Sequence, residues 1–218
     1  MAKKGFLALV IAAIILLSIG GYFLFFGQTV TVYTDGENVT VSSTISPFSG
    51  VDTDKMNEEI CQYTYETMNT PDGDLTSLIQ GIRRICLSYG LDNVNVKYNS
   101  SLGENKIPIL FHIKGNSMYP TLEDGQTVIV EKTKNIQVNS IVVAYTPEYG
   151  NIIKRVSEIN GDKVYLVSDN TDIEYENING TTYQVQGIRI WVDIDDIYGV
   201  VVEYWLLQSV DFLKKSCE

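Results

Sequence analysis

Residues 113–122 read Ile113-Lys114-Gly115-Asn116-Ser117-Met118-Tyr119-Pro120-Thr121-Leu122, and further along stands Ile152-Ile153-Lys154-Arg155-Val156. The first stretch frames a serine between a glycine and a proline, the chemistry of a tight turn. The second sets a lysine in a β-branched apolar run, the pattern of a strand. Serine is a weak nucleophile until a base takes its proton. A lysine held among apolar groups loses hydration of its ammonium form, so its pKa falls and it can act as that base. Ser117 and Lys154 are therefore the candidate nucleophile and general base. Taken alone, Lys154 also fits a surface side chain that snorkels beside Arg155; the Ser117 turn favours the chemical reading.

The turn has further logic. Gly115 lets the backbone approach a substrate closely, and Pro120 fixes φ beyond the nucleophile. Met118 and Leu122 are apolar groups suited to line a pocket. The Ser117 N–H is a candidate donor to a developing oxyanion. His112, the single histidine, alternates within a strand just before Ser117 and reads as a structural or surface residue.

Working outward, short β-branched runs recur at Ile107–Lys114, Thr127–Glu131, Ser140–Ala144, Ile152–Val156, Lys163–Val167 and Tyr198–Tyr204, with Gly/Asp/Asn turns between them. That spacing predicts an all-β, barrel-like or sandwich domain over residues 107–204. Residues 28–106 have a different texture and predict a small α+β module. A hairpin turns at Asp35-Gly36, an amphipathic helix runs over 52–68 with Met56, Ile60, Tyr63 and Thr67 near one face, and a second starts at Leu75 and ends by Gly90. Val94 to Tyr98 alternates as a strand, and Gly103-Glu104-Asn105 marks the boundary. Residues 205–218 form an amphipathic segment, too short to span a bilayer, that packs on the domain or lies on a membrane surface.

Residues 1–27 read as a cytoplasmic tip and a transmembrane anchor. Gly5 to Phe26 holds no charged residue, and its 22 residues cover about 30 Å as a helix, the thickness of the bilayer core. Lys3 and Lys4 precede this run and no basic residue follows before Lys55, which places the N-terminus in the cytoplasm and the rest of the chain outside. The run exceeds the usual apolar core of a cleaved signal peptide, and bulky Tyr22 to Phe26 follow its small residues.

The formal net charge of −11 argues against nucleic acid as a partner, since phosphate binding needs a basic surface. Cys61, Cys86 and Cys217 show no metal-ligand spacing, and with one histidine no metal or other cofactor is expected. Outside the cytoplasm Cys61 and Cys86 either close a disulfide or remain as buried thiols. Cys217 reads as a free thiol near the end of the chain.

Gly115 to Leu122 resembles the nucleophile box of the type I signal peptidases. Asp124 to Val130 resembles the strand after it. Asn139-Ser140-Ile141-Val142 stands where that family usually has Gly-Asp-Ile-Val. Ile153-Lys154-Arg155-Val156 followed by Gly161-Asp162 resembles its base box, Ser168-Asp169-Asn170 its Gly-Asp-Asn box, and Tyr198 to Val201 its closing strand. The likeness covers residues 107–204 and the anchor. It implies the mainly β fold shared by signal peptidases and self-cleaving SOS repressors, here with an N-terminal transmembrane helix and a small α+β insert. It implies that Ser117 is the nucleophile and Lys154 the base, and that Arg155 and Asp169 organise the site with Gly115, Met118 and Pro120 in support. The family also has a Ser–His form, which the placement of the one histidine excludes. The implied activity is removal of signal peptides from exported preproteins. The implied partners are those signal peptides and the lipid bilayer, at a single-pass position in the cell membrane. The alternative is an inactive or regulatory ectodomain that binds a partner. Three positions depart from the pattern. Gly115 stands where some members have a Ser, Asn139-Ser140 replaces Gly-Asp, and Ser168 replaces Gly. Asp172 is a further candidate site residue.

Overall fold

The computed structural model of the chain describes residues 10–18, 21, 27–172, 174–178, 181–185 and 187–205. It is mainly β, with two sheets, one hairpin and two helices that follow the first hairpin.

Strands β1 (Gln28–Thr34) and β2 (Val39–Thr44) pair antiparallel and close at Thr34↔Val39. Asp35 holds this turn, since its Oδ1 accepts the N–H of Glu37 at 2.9 Å and of Asn38 at 2.7 Å, an Asx turn that frees Gly36 to adopt φ 104°. Helices α1 (Thr53–Met68) and α2 (Leu75–Ser88) follow. Asp52 caps α1 by accepting Lys55 N–H at 3.1 Å. Asp74 and Ser77 form a reciprocal box at the start of α2. Strand β3 (Val94–Ser100) then pairs parallel with β1, and β4 (Gly103–Glu104) adds to it, giving the order β2-β1-β3-β4. A parallel partner needs a crossover, and the two helices supply it. Their apolar faces bury Met56, Ile60, Met68, Leu78 and Ile82 against Val30 and Val32. The buried stripe of α1 runs Met56, Ile60, Cys61, Thr64, Met68, one step round the helix from the predicted Tyr63 and Thr67.

The sequence left a Cys61–Cys86 bridge open, and the structure closes that question against it. Cys86 is a buried free thiol, packed in the same cluster as a small apolar group. Cys217 lies outside the described residues.

The second sheet has seven strands: β5 (Pro108–His112), β6 (Thr127–Glu131), β7 (Ile141–Thr146), β8 (Gly150–Asn160), β9 (Lys163–Val167), β12 (Arg189–Asp193) and β13 (Ile197–Trp205). They run in the order β12-β9-β8-β7-β13-β6-β5 with antiparallel neighbours. Register shifts in β8 and β13 bend the sheet. Two apolar clusters fill it, one around Val142, Val156, Leu166 and Ile197, the other around Ile113, Met118, Leu122, Val128 and Val143. Where β13 crosses β6, a Cβ on Gly199 would lie 2.1 Å from the Glu131 carbonyl oxygen, so only glycine fits. Strands β10 (Glu174–Ile178) and β11 (Thr181–Val185) form a separate hairpin. These two strands and β12 were not expected from the sequence.

At the N-terminus a helix covers residues 10–18, with Ile11, Ile14, Leu16 and Leu17 exposed. Among the described residues no helix is long and apolar enough to cross a membrane. The rest of the expected anchor, residues 5–9, 19–20 and 22–26, lies outside the described residues, as does the C-terminal segment 206–218.

Candidate active site

The loop between β5 and β6 carries Ser117. It is pinned at its base by Ile113 N–H to Gln126 O at 2.8 Å and Gly125 N–H to Ile113 O at 3.1 Å. Asp124 Oδ1 accepts Gly115 N–H at 2.6 Å, and Gly115 takes φ 84°, a region a side chain disfavours. The Tyr119–Pro120 peptide is cis. Met118 and Leu122 are 2 % and 0 % exposed and belong to the core cluster. They therefore anchor the loop from below; the expectation that they line a substrate pocket is corrected. Ser117 is left half-buried above them.

Lys154 lies in β8, opposite Val142 of β7. It is 3 % exposed, and its Nζ donates to Ser117 Oγ at 2.8 Å and to Ile153 O at 2.8 Å. Desolvation brings its pKa down to about 8, although the nearby Asp169 charge acts the other way. A buried amine of this kind is neutral in about a tenth of molecules at pH 7, far more than an ordinary lysine, and can accept a proton from the hydroxyl it touches.

The neighbouring charges are organised separately. Arg155 grips Asp169 with two bonds, Nε to Oδ1 at 2.7 Å and Nη2 to Oδ2 at 2.5 Å, the fork geometry that makes guanidinium–carboxylate pairs strong. Desolvation pushes the Asp169 carboxyl up, but the bonds from Arg155 and Thr121 and the Arg155 charge outweigh it and hold it below its ordinary value. Sequence reasoning missed four groups here. Thr121 Oγ1 donates to Asp169 Oδ2 at 2.5 Å. Asn139 O accepts Arg155 Nη1 at 2.8 Å. Asn170 N–H donates to Ser117 O at 3.0 Å and its Nδ2 to Asn116 O at 3.1 Å, tying the third motif to the nucleophile turn. Asp124 is the fourth. Thr121, Asp124 and Asn170 sit inside the quoted motifs, so the signal was present, though pairing across the loop was not readable.

The departures now have physical readings. Asn139 takes φ 74°; asparagine is the side chain that best tolerates the left-handed region otherwise left to glycine. Ser168 points a buried hydroxyl, unpartnered among the described residues, toward Gly187, where a Cβ would lie 2.7 Å from the Ser168 Cβ. His112 Nδ1 lies 2.8 Å from Thr127 Oγ1, its cross-strand neighbour, while Ser117 Oγ is met by Lys154. Asp172 N–H donates to Asn170 Oδ1 at 2.9 Å. A cavity of about 380 Å3 lies elsewhere, in the α+β module between Arg83, Arg84, Leu87, Leu91 and Asn93. Among the described residues no cluster of metal-ligating side chains is found.

This arrangement has relatives. Residues 87–190 match the Peptidase S24-like family model. Signal peptidase IB of Staphylococcus aureus is 38% identical over 63 residues in strains Mu50, N315 and MW2, which covers 27% of this chain and 33% of the relative. The match thus spans about a third of the length of those curated relatives. The resemblance to signal peptidases carried by the motifs is shown by these two findings together.

Proposed function

We propose that this protein is a membrane-attached serine endopeptidase that removes signal peptides from exported preproteins with a Ser117–Lys154 dyad. The observation that carries the reading is the 2.8 Å contact between Ser117 Oγ and a desolvated Lys154 amine. The neutral amine takes the Ser117 proton as Oγ attacks the scissile carbonyl. The ammonium then gives that proton to the leaving amine. In the second half Lys154 deprotonates water, which hydrolyses the acyl-enzyme and returns the hydroxyl to Ser117. The Ser117 N–H, which has no acceptor among the described residues, is the proposed oxyanion donor. Arg155, Asp169 and Thr121 fix the base strand against the nucleophile loop. The uncharged run Gly5 to Phe26 behind Lys3 and Lys4 supports attachment to the membrane with the sheet on the far side.

Full-length protein in detergent, offered a preprotein, tests this. Ser117→Ala and Lys154→Ala each abolish cleavage, while His112→Ala keeps most of it. Cleavage surviving in Lys154→Ala and lost in His112→Ala would sink the dyad. No cleavage of any preprotein by the folded wild type would favour a binding role for the ectodomain.

A further inference from the structure

Ser117 sits at the tip of the β5–β6 hairpin, and the open end of that hairpin is built into the α+β module. Lys132 N–H donates to Ile107 O at 2.8 Å across that open end, and the Ile107 side chain is buried in the module's own core cluster. Lys106 pairs with Glu131 at 2.8 Å. Gly36, in the turn between β1 and β2, lies so close to β5 that a Cβ there would come within 3.4 Å of Leu110 and Pro108. The fourth contact is the most specific. Lys132 Nζ donates to Thr67 O at 3.2 Å, to Met68 O at 3.1 Å and to Thr70 O. A helix end leaves its last carbonyls without internal partners, and here a single ammonium from the other sheet satisfies three around the end of α1. Two residues on, Lys134 Nζ binds Ile194 O, Asp195 O and Ile197 O at 3.0, 2.9 and 2.6 Å. At the end of the same connection Asn139 O holds Arg155. The stretch 132–139 is therefore tied at one end to the module, in the middle to the start of β13, and at the other end to the residue beside the base.

Resting on the function proposed above, we infer that the α+β module is a positioning platform for the reacting pair, and that Lys132 is the positioning residue that seats the nucleophile hairpin on it. The five residues of β6 form a lever of about 17 Å between Lys132 and the Ser117 loop at ~3.3 Å per residue. A small tilt at the base moves the tip, and a misplacement of about 1 Å in a reacting group costs on the order of 100-fold in rate. Burial also lowers the Lys132 pKa to about 8, with the Asp72 and Asp74 charges opposing that shift and Lys134 adding to it, so the seat is a partly desolvated ammonium.

The test uses full-length protein in detergent and an internally quenched peptide carrying a signal-peptide cleavage site. In Lys132→Met, kcat falls about tenfold or more while KM stays close to wild type. The acid limb of the pH–rate profile moves upward, because a loosened loop lets water reach Lys154. Lys132→Arg, which keeps charged donors for the α1 carbonyls, recovers most of the rate. If Lys132→Met fails to fold by circular dichroism, Lys132→Gln, which keeps two donors, is read in its place. A folded variant with wild-type kcat overturns the inference. So does a loss of kcat with an unmoved acid limb, which would assign Lys132 to stability alone. Loss of the dyad assignment is a separate outcome, read from Ser117→Ala and Lys154→Ala as above.

Discussion

Lys154 carries the chemistry because it is in the wrong place for a charge. At 3 % exposure its ammonium has lost most of its water, and Asp169 is committed to Arg155 and Thr121, so it restores only part of what desolvation removes. The rate should therefore follow the neutral amine. Cleavage by full-length protein should rise about tenfold per pH unit at acid pH and level off near pH 8. A profile still climbing at pH 10 would mean that Lys154 keeps an ordinary lysine pKa and would remove the argument for it as base. At this scale the sequence was informative: a lysine between Ile153 and Val156 in a strand pattern, and a serine framed by Gly115 and Pro120. Thr121 and Asn170 were less visible, since nothing local says which hydroxyl or amide will face Asp169 or Ser117.

Among the elements, caps and periodicity carried most of the signal. The first helix is capped by Asp52, where the expected 52–68 helix starts, the Asp74 cap of the second came only from the structure, and β6 and β9 kept their predicted ends. The hairpin β10–β11 was missed because its strands are short and rich in Glu, Asn and Thr. The available signal was Asn179-Gly180, a favoured two-residue hairpin connection, lying between the paired residues Ile178 and Thr181. Asn139 gives an element-level prediction. Its φ of 74° is tolerated by Gly but costs about 1–2 kcal/mol with a β-branched side chain. Asn139→Gly should leave the melting temperature and activity near wild type, and Asn139→Val should lower both, because the carbonyl that holds Arg155 belongs to this residue. Equal melting temperatures for the two variants would remove the strain argument.

Across the whole molecule, the site is held at a cost in stability. The folded state keeps the Lys154 amine near 8 where the unfolded chain has it near 10.5. The unfolded state thus binds more protons between those values, and stability rises with pH across that window; below it the penalty is fully present. The shift corresponds to roughly 3 kcal/mol. Lys154→Met, of similar volume and without charge, should abolish cleavage yet raise the unfolding free energy at pH 7 by about that amount, with the gain fading between pH 8 and 10.5. Urea unfolding at pH 7 and pH 10 measures it. A variant less stable than wild type at pH 7 would show that the buried ammonium is well compensated and that desolvation does not dominate.

The sequence by itself determined what local chemistry controls: the mainly β character of residues 107–204, the two amphipathic helices before it, the serine turn, the lysine strand and the likeness to signal peptidases. These follow from side-chain period, turn residues and motif order, all of which act over a few neighbours. Only the tertiary structure decided which groups meet. It brought Lys154 to 2.8 Å from Ser117, turned Met118 and Leu122 inward, left Cys86 unbridged and set Lys132 on the end of α1. Those outcomes depend on strand order and on the bend of the seven-stranded sheet, and non-local pairing of that kind leaves no local trace in the chain.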